Sequence, residues 1–393
     1  MTASIARPDP RLTESVRARL AESAAAPTPA RVAEALRAEG VVLGDLEVLA
    51  LTTALRADLA GMGPLEPLLQ RPGVTDILVN GPDEVWIDDG DGLSRVDVAF
   101  ADEAAVRRLA QRLAAAAGRR LDDAAPWVDA RLADGCRLHA VLPPVAPAGT
   151  CISVRVPRRA SFGFAELVAA GTVPAAGAEL LAAVVRARLA FLVTGGTGTG
   201  KTTLLAALLG RVDARERVVL VEDSGELRPD HPHVVRLEAR PANAEGTGTV
   251  VLRDLVRQAL RMRPDRLVVG EVRGHEVVDL LSALNTGHEG GCGTLHANAA
   301  ADVPARLEAL AVAAGLSRPA LHSQLAAALD VVVHLARGRD GRRRVAEICV
   351  LHRGRDGLVE AGPAMCFGPD GVARPGAGID DLHVLLRSRG EPS

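Results

Sequence analysis

The stretch Phe191-Leu192-Val193-Thr194-Gly195-Gly196-Thr197-Gly198-Thr199-Gly200-Lys201-Thr202-Thr203-Leu204-Leu205 limits the folds open to this chain more than any other. Gly195 to Thr202 fit G-x-x-x-x-G-K-[ST], between an apolar strand-like run and a helix-forming run. Glycines let the backbone curl until successive N–H groups point inward, where they meet phosphate oxygens at the positive end of the following helix. On this reading Lys201 reaches the β- and γ-phosphates of a nucleotide and the Thr202 hydroxyl ligates Mg²⁺. The strand, loop and helix together predict an α/β fold.

Of the 46 basic residues, Lys201 is the only lysine, the rest being arginine. Arginine's planar fork cannot replace a compact ammonium inside a tight phosphate loop, so the exception marks a functional constraint. Aromatic residues make up 2% and tyrosine is absent, which argues against stacking platforms for single-stranded nucleic acid. The net charge of −3 adds no case for nucleic acid or acidic membranes. The five cysteines include no C-x-x-C pair, so packed thiols are expected. The N-terminus lacks an apolar signal-peptide core, and the apolar stretch before the loop is broken by Gly177, Glu179, Arg186 and Arg188. A cytoplasmic protein is expected.

Pro8, Pro10, Pro27 and Pro29 suggest a mobile start to residues 1–60, with a short helix near Leu12 to Leu20 and two helices between Val32 and Leu59. A smaller α+β domain is expected over 61–158: strands near 74–79, 84–87 and 93–98, a helix from Asp102, a hairpin around Asp134-Gly135 and a strand at 150–156. If that hairpin loop is Ala133-Asp134-Gly135, Arg131 and Arg137 fall opposite each other on one face; a two-residue turn would put them on opposite faces. A hinge linker is expected over 159–170. Alternating strand and helix patterns over 171–352 predict a mostly parallel, doubly wound sheet. The glycine- and proline-rich tail, 353–393, receives little assignment.

Three further clusters sit at strand ends, where such sheets bind ligands. Val218-Val219-Leu220-Val221 delivers Glu222, Asp223 and Glu226, and Leu267-Val268-Val269-Gly270 delivers Glu271. An acid at a buried strand end suits the Mg²⁺ side of a phosphate-loop site. Beyond them, His288 and His296 flank a short glycine-rich strand and are read as γ-phosphate sensors, in preference to metal ligands.

The ordered set of phosphate loop, Glu222-Asp223-x-x-Glu226, Gly270-Glu271-Val272-Arg273, and His288 with His296 resembles the secretion ATPase superfamily of type II secretion, type IV pili and type IV secretion. Gly63-Pro64-Leu65-Glu66-Pro67, Val79-Asn80-Gly81-Pro82, Val128-Asp129-Ala130-Arg131-Leu132, Arg253-Asp254-Leu255-Val256-Arg257, Leu260-Arg261-Met262-Arg263-Pro264-Asp265-Arg266 and Asn285-Thr286-Gly287-His288 resemble its Tad/Flp pilus assembly branch. His139, where asparagine is usual, and the glycine-rich Gly290-Gly291-Cys292-Gly293 depart from the pattern.

The resemblance implies a RecA-like phosphate-loop domain and an ATPase using ATP and Mg²⁺. It makes Gly195, Gly196, Thr197, Gly198, Thr199, Gly200, Lys201, Thr202 and Thr203 ATP-binding, Glu226 the acid that orients or deprotonates water, and Glu271 the Walker B glutamate. Gly270 stands where other phosphate-loop proteins carry aspartate, so Thr202 and water hold Mg²⁺ with Glu271 in the outer sphere. Arg131, Arg137 and Arg155 match arginines that approach the phosphates. A ring hexamer on the inner face of the cell membrane is implied, working through an inner-membrane platform protein and touching no nucleic acid directly. A conjugation or effector-transfer ATPase is the alternative within the superfamily; a nucleotide-gated scaffold and a small-molecule kinase are alternatives of other classes.

Overall fold

Two runs of buried strands, each with its own helices, divide the chain into units at 1–158 and 159–393. The structure, a computed structural model, describes residues 15–16, 19, 28–41, 43–44, 47–49, 51–53, 55, 61–90, 92–157, 162–240, 242, 247–338 and 340–391. Most of the helix expected at 12–20 and residues 159–161 of the expected hinge linker lie outside these residues; most of the rest of that linker, Phe164–Ala169, is a helix.

In the first unit, Thr28 caps α1 (Pro29–Ala38), its side chain accepting the Arg31 N–H, with proline in the first turn. Val32, Ala35 and Leu36 of α1 bury against Val16, Leu51 and Leu55. Short α2 (Glu66–Leu69) leads into β1 (Asp76–Gly81), β2 (Glu84–Asp88), β3 (Leu93–Val96), α3 (Glu103–Ala116), β4 (Trp127–Arg131), β5 (Arg137–Val141) and β6 (Cys151–Arg155). The Asp102 carboxylate accepts the Ala105 N–H at 2.7 Å and so starts α3. The six strands run β3-β2-β1-β6-β5-β4, with every neighbouring pair antiparallel.

Strand alternation sorts this sheet into two faces. Val128, Ala130, Leu138, Ala140, Ile152 and Val154 join the core that α3 covers. Asp129, Arg131, Arg137, His139, Ser153 and Arg155 occupy the other face.

The second unit contains α4 (Phe164–Ala169), α5 (Ala175–Arg186), β7 (Phe191–Gly195), α6 (Lys201–Leu209), β8 (Val218–Glu222), β9 (Val234–Glu238), α7 (Leu252–Ala259), β10 (Arg266–Val269), α8 (Glu276–Leu284) and β11 (Cys292–His296). It continues with α9 (Val303–Ala313), α10 (Arg318–Ala328), β12 (Val331–Arg337), β13 (Arg343–Arg353), β14 (Val359–Phe367), β15 (Ala373–Pro375) and α11 (Ile379–Ser388). Its sheet runs β15-β14-β13-β12-β7-β11-β10-β8-β9. From β12 to β9 all pairings are parallel; β13, β14 and β15 add antiparallel strands at the other edge. Buried residues of α4, α5, α6 and α11 cover one face, and those of α7 to α10 the other. Burial on both faces explains why β7 and β8 read as unbroken apolar runs.

The tail corrects the sequence expectation. Residues 359–388 form two strands and a helix of the same unit, burying Val359, Ala364, Phe367, Leu382 and Leu386. Four of its glycines lie in hairpin turns, with Gly357 N–H bonded to the Gly354 carbonyl and Gly371 N–H to the Gly368 carbonyl. Phe367 packs where Gly177 has no side chain; a Cβ there would lie 2.6 Å from the ring. Ion pairs Arg389–Glu289 (2.8 Å) and Arg186–Glu391 (2.9 Å) anchor the end of α11.

Candidate active site

The parallel register brings the C-terminal ends of β7, β11 and β10 side by side. His296 stands level with Gly195, and Gly293 with Val269, two residues before Glu271. Gly195 must be glycine: a Cβ would lie 2.6 Å from the Leu335 carbonyl oxygen on β12. The loop then turns directly into α6, whose first residue is Lys201 and whose first turn carries half-buried Thr202 and Thr203.

Lys201 is only 7% exposed, so the chain's one lysine is also a buried one. Its Nζ donates to the carbonyls of Gly195 (3.1 Å) and Gly196 (2.9 Å). Burial pulls the ammonium below the ordinary lysine range, and the Glu271 carboxylate opposes that pull. The His296 ring lies beside it, with Nδ1 and Nε2 at 3.4 and 3.5 Å from Nζ. Burial first, then the Lys201 charge, holds this imidazole below the usual histidine range and therefore neutral at physiological pH.

Glu271 closes the group. Its Oε1 lies 2.8 Å from the neutral His296 ring at Nε2, without an aligned hydrogen bond. Its Oε2 accepts a short hydrogen bond from Arg273, which also approaches Asp223 at 3.9 Å. Thr294 on β11 donates to the Gly270 carbonyl at 2.6 Å, tying the histidine strand to the glutamate strand. An open cavity of about 460 Å³ lies here, lined by Thr197, Glu271, Val272, Arg273, His296 and Arg306.

Glu222, read only as one of three strand-end acids, is 3% exposed and acts on the turn after it. Its Oε1 accepts the N–H groups of Glu226 (3.0 Å) and Leu227 (2.9 Å), which sets the exposed Glu226 in place. It also accounts for Gly270: a Cβ there would lie 2.6 Å from Glu222 Cγ, so an aspartate has no room. Burial raises the Glu222 pKa, with the two amides opposing, and Oε2 has no donor among the described residues. A raised folded-state pKa costs stability as pH climbs through the carboxylate range and above. Glu222→Gln keeps an acceptor for both amides without the charge. Its melting temperature should rise relative to wild type at pH 8 and lose that advantage at pH 4; an equal shift at both pH values would rule out the buried charge as the cause.

His288 is a correction. It precedes the start of β11, while His296 ends it, so a five-residue strand, roughly 16 Å at about 3.3 Å per residue, separates it from the loop end of the sheet. Its Nδ1 instead bonds the Ala283 carbonyl at 3.2 Å, at the end of α8. Sequence spacing showed two histidines around one strand; strand direction allows only His296 beside Lys201.

Arg131, Arg137 and Arg155 belong to the first unit, where they form one row. Arg131 stands opposite Arg137, and Arg137 opposite Arg155. The hairpin loop is Ala133-Asp134-Gly135, with Gly135 at φ +89° and Leu132 N–H bonded to the Cys136 carbonyl. Asp129 grips Arg137 through two hydrogen bonds of 3.0 and 2.6 Å, and Arg155 approaches Asp76 at 3.3 Å. Arg137 holds the Asp129 carboxyl below the usual range.

Two arginines near the loop escaped the sequence reading. Arg273 was legible only as part of a motif, and Arg306 is an exposed helix arginine, ten residues after His296, in a chain full of arginines.

A parallel sheet with a glycine loop and its lysine at one strand end, and an acid beyond the end of a nearby strand, define a phosphate-loop nucleotide-binding protein. The chain belongs to the type II/IV secretion system protein family, whose model matches residues 58–364. It is 61% identical over 354 residues to a "putative conjugal transfer protein" of Mycobacterium tuberculosis strain CDC 1551 / Oshkosh, spanning 88% of this chain and 99% of the relative. Identity is 34% over 323 residues to the type IV secretion system protein PtlH homolog of Bordetella bronchiseptica, spanning 75% of this chain and 94% of that one. Among solved structures it is similar to the pilus retraction motor PilT with bound ADP (TM-score 0.52, 19% identity, 82% of this chain and 85% of that one). The Legionella pneumophila ATPase DotB is comparably similar (TM-score 0.51, 20% identity, 72% and 78%). The fold is RecA-like, preceded by an α+β domain.

Proposed function

We propose that this protein is a Mg²⁺-dependent ATPase that powers pilus assembly of the Tad/Flp kind as a ring hexamer, docked through a platform protein on the cytoplasmic face of the inner membrane. The observation that carries the ATPase reading is the meeting of Lys201, His296 and Glu271 at the open end of one parallel sheet. No described helix is long and apolar enough to cross a membrane.

In hydrolysis, Lys201 exchanges the Gly195 and Gly196 carbonyls for the β- and γ-phosphates. Neutral His296 can donate an N–H to a γ-phosphate oxygen. Glu226, set by Glu222, and Glu271, set by Arg273, orient the attacking water and draw its proton. The residues fit Mg²⁺: Thr202 lies at the phosphate end of α6, and Glu271 presents a buried Oε1 without an aligned donor. The metal would neutralise charge on the phosphates, held by Thr202 and water with Glu271 outside its first sphere. In this reading Arg131, Arg137 and Arg155 add positive charge from the first unit.

The name of the Mycobacterium tuberculosis relative favours a second reading, transfer in conjugation. A deletion strain separates them: loss of surface pili with normal DNA transfer to a recipient supports pilus assembly, and the reverse supports conjugation.

Because Lys201 is the only side-chain amine, a lysine-directed reagent should inactivate the protein at one site once the N-terminal amine is blocked near neutral pH. Mg-ATP should protect. Complete labelling of Lys201, read by mass spectrometry, with ATPase activity intact would remove the loop from the active site.

A further inference from the structure

The loop-bearing strand β7 has one polar side chain, Thr194, and it is fully buried. The buried run Val331–Leu335 of its parallel neighbour β12 also has one, His334, at 6% exposure. Register places the two opposite each other, with Thr194 Oγ1 2.9 Å from His334 Nδ1. Taking both groups out of water costs about what their hydrogen bond returns, so an apolar pair would hold the sheet equally well. What the polar pair adds is direction.

Three observations say what is being directed. Thr194 immediately precedes Gly195, whose carbonyl receives the Lys201 ammonium. The next residue of β12, Leu335, lays its carbonyl against Gly195, and the ladder to β13 slips between His334 and Leu335, an irregularity of the kind that re-aims side chains beside active sites. The His334 ring also lies beside the backbone of Asn298, two residues beyond His296, which acts on its proton affinity. Glu347, Asp302 and Lys201 are the charges that act on the ring, and burial outweighs the two carboxylates to hold it below the ordinary histidine range. A neutral ring accepts from the Thr194 hydroxyl at Nδ1 and keeps its N–H for the Asn298 side.

We propose that His334 is a positioning residue that joins the phosphate-loop strand to the segment leaving His296, so that loop and sensor histidine shift as one body when a terminal phosphate arrives. Its kinetic consequence rests on the ATPase reading above; the structural coupling does not.

The test uses the full chain with His334→Leu, Thr194→Val, the double variant and His334→Gln. Hydrogen exchange should quicken together at residues 194–200 and 297–300 in either single variant. Turnover should fall about tenfold while KM for ATP stays within about twofold. The double variant should match the singles, as expected for one shared interaction. His334→Gln, whose amide can both accept and donate, should restore most of the turnover. Where His334→Leu fails to fold, the near-isosteric Thr194→Val carries the same measurements. Quickened exchange in only one segment, additive singles, or wild-type turnover in Thr194→Val would overturn the proposal. A wild-type protein without hydrolysis whose two segments still respond together would overturn the ATPase reading and support the coupling.

Discussion

Lys201→Ala should abolish phosphate release, and Glu271→Gln should retain ATP while hydrolysing it at least about a hundredfold more slowly. The two differ because of when each group acts. Lys201 is the buried cation of the loop, already held within hydrogen-bond reach of two loop carbonyls, so the phosphates it would neutralise need it in ground and transition states alike. Glu271 sits beyond the loop, gripped by Arg273 and close to His296, where it can act on water but has little to offer ground-state binding. Phosphate release and retention of labelled ATP after gel filtration measure both. Normal turnover in Lys201→Ala would sink the site, and unbound nucleotide in Glu271→Gln would move that glutamate from chemistry to binding.

What could be read from sequence was whatever the chain carries contiguously. The loop from Gly195 to Thr202 is one such unit, and the apolar runs ending on Glu222 and Glu271 are others, because burial on both faces leaves no alternation to misread. Residues whose meaning depends on strand direction were less legible. His288 and His296 look equivalent in spacing, yet parallel pairing to β7 puts only His296 level with Gly195. Glu222 and Gly270 explain each other only once β8 and β10 are neighbours. Thr194 and His334, 140 residues apart, carry no local signal at all. The tail misled for a different reason: turn glycines between edge strands resemble those of an unstructured segment until Phe367 is seen filling the space over Gly177.

Arg131→Ala or Arg137→Ala should lower turnover at least about tenfold while nucleotide binding weakens less. A three-residue loop puts Arg131 and Arg137 directly opposite each other, and β6 adds Arg155 beside Arg137. Cross-strand neighbours on one face lie roughly 5 Å apart, where like charges repel. Asp129 and Asp76 supply counter-charge to Arg137 and Arg155, so the row needs no outside anion to form. The row lies on a face the domain's own core does not use. Under the proposed function these arginines act on the triphosphate, and an arginine completing such a site is worth roughly 10³ to 10⁵ in rate. On that proposal Asp129 would have to yield Arg137 to the phosphate, which would partly cancel the gain in binding, so the loss on removing the arginine would fall on turnover more than on affinity. Steady-state turnover beside equilibrium binding of an ATP analogue reads the split. Both variants turning over like wild type would make the row an ordinary outer surface of the first unit, and the catalytic cations would then have to be sought among Arg273 and Arg306, which line the cavity beside Glu271.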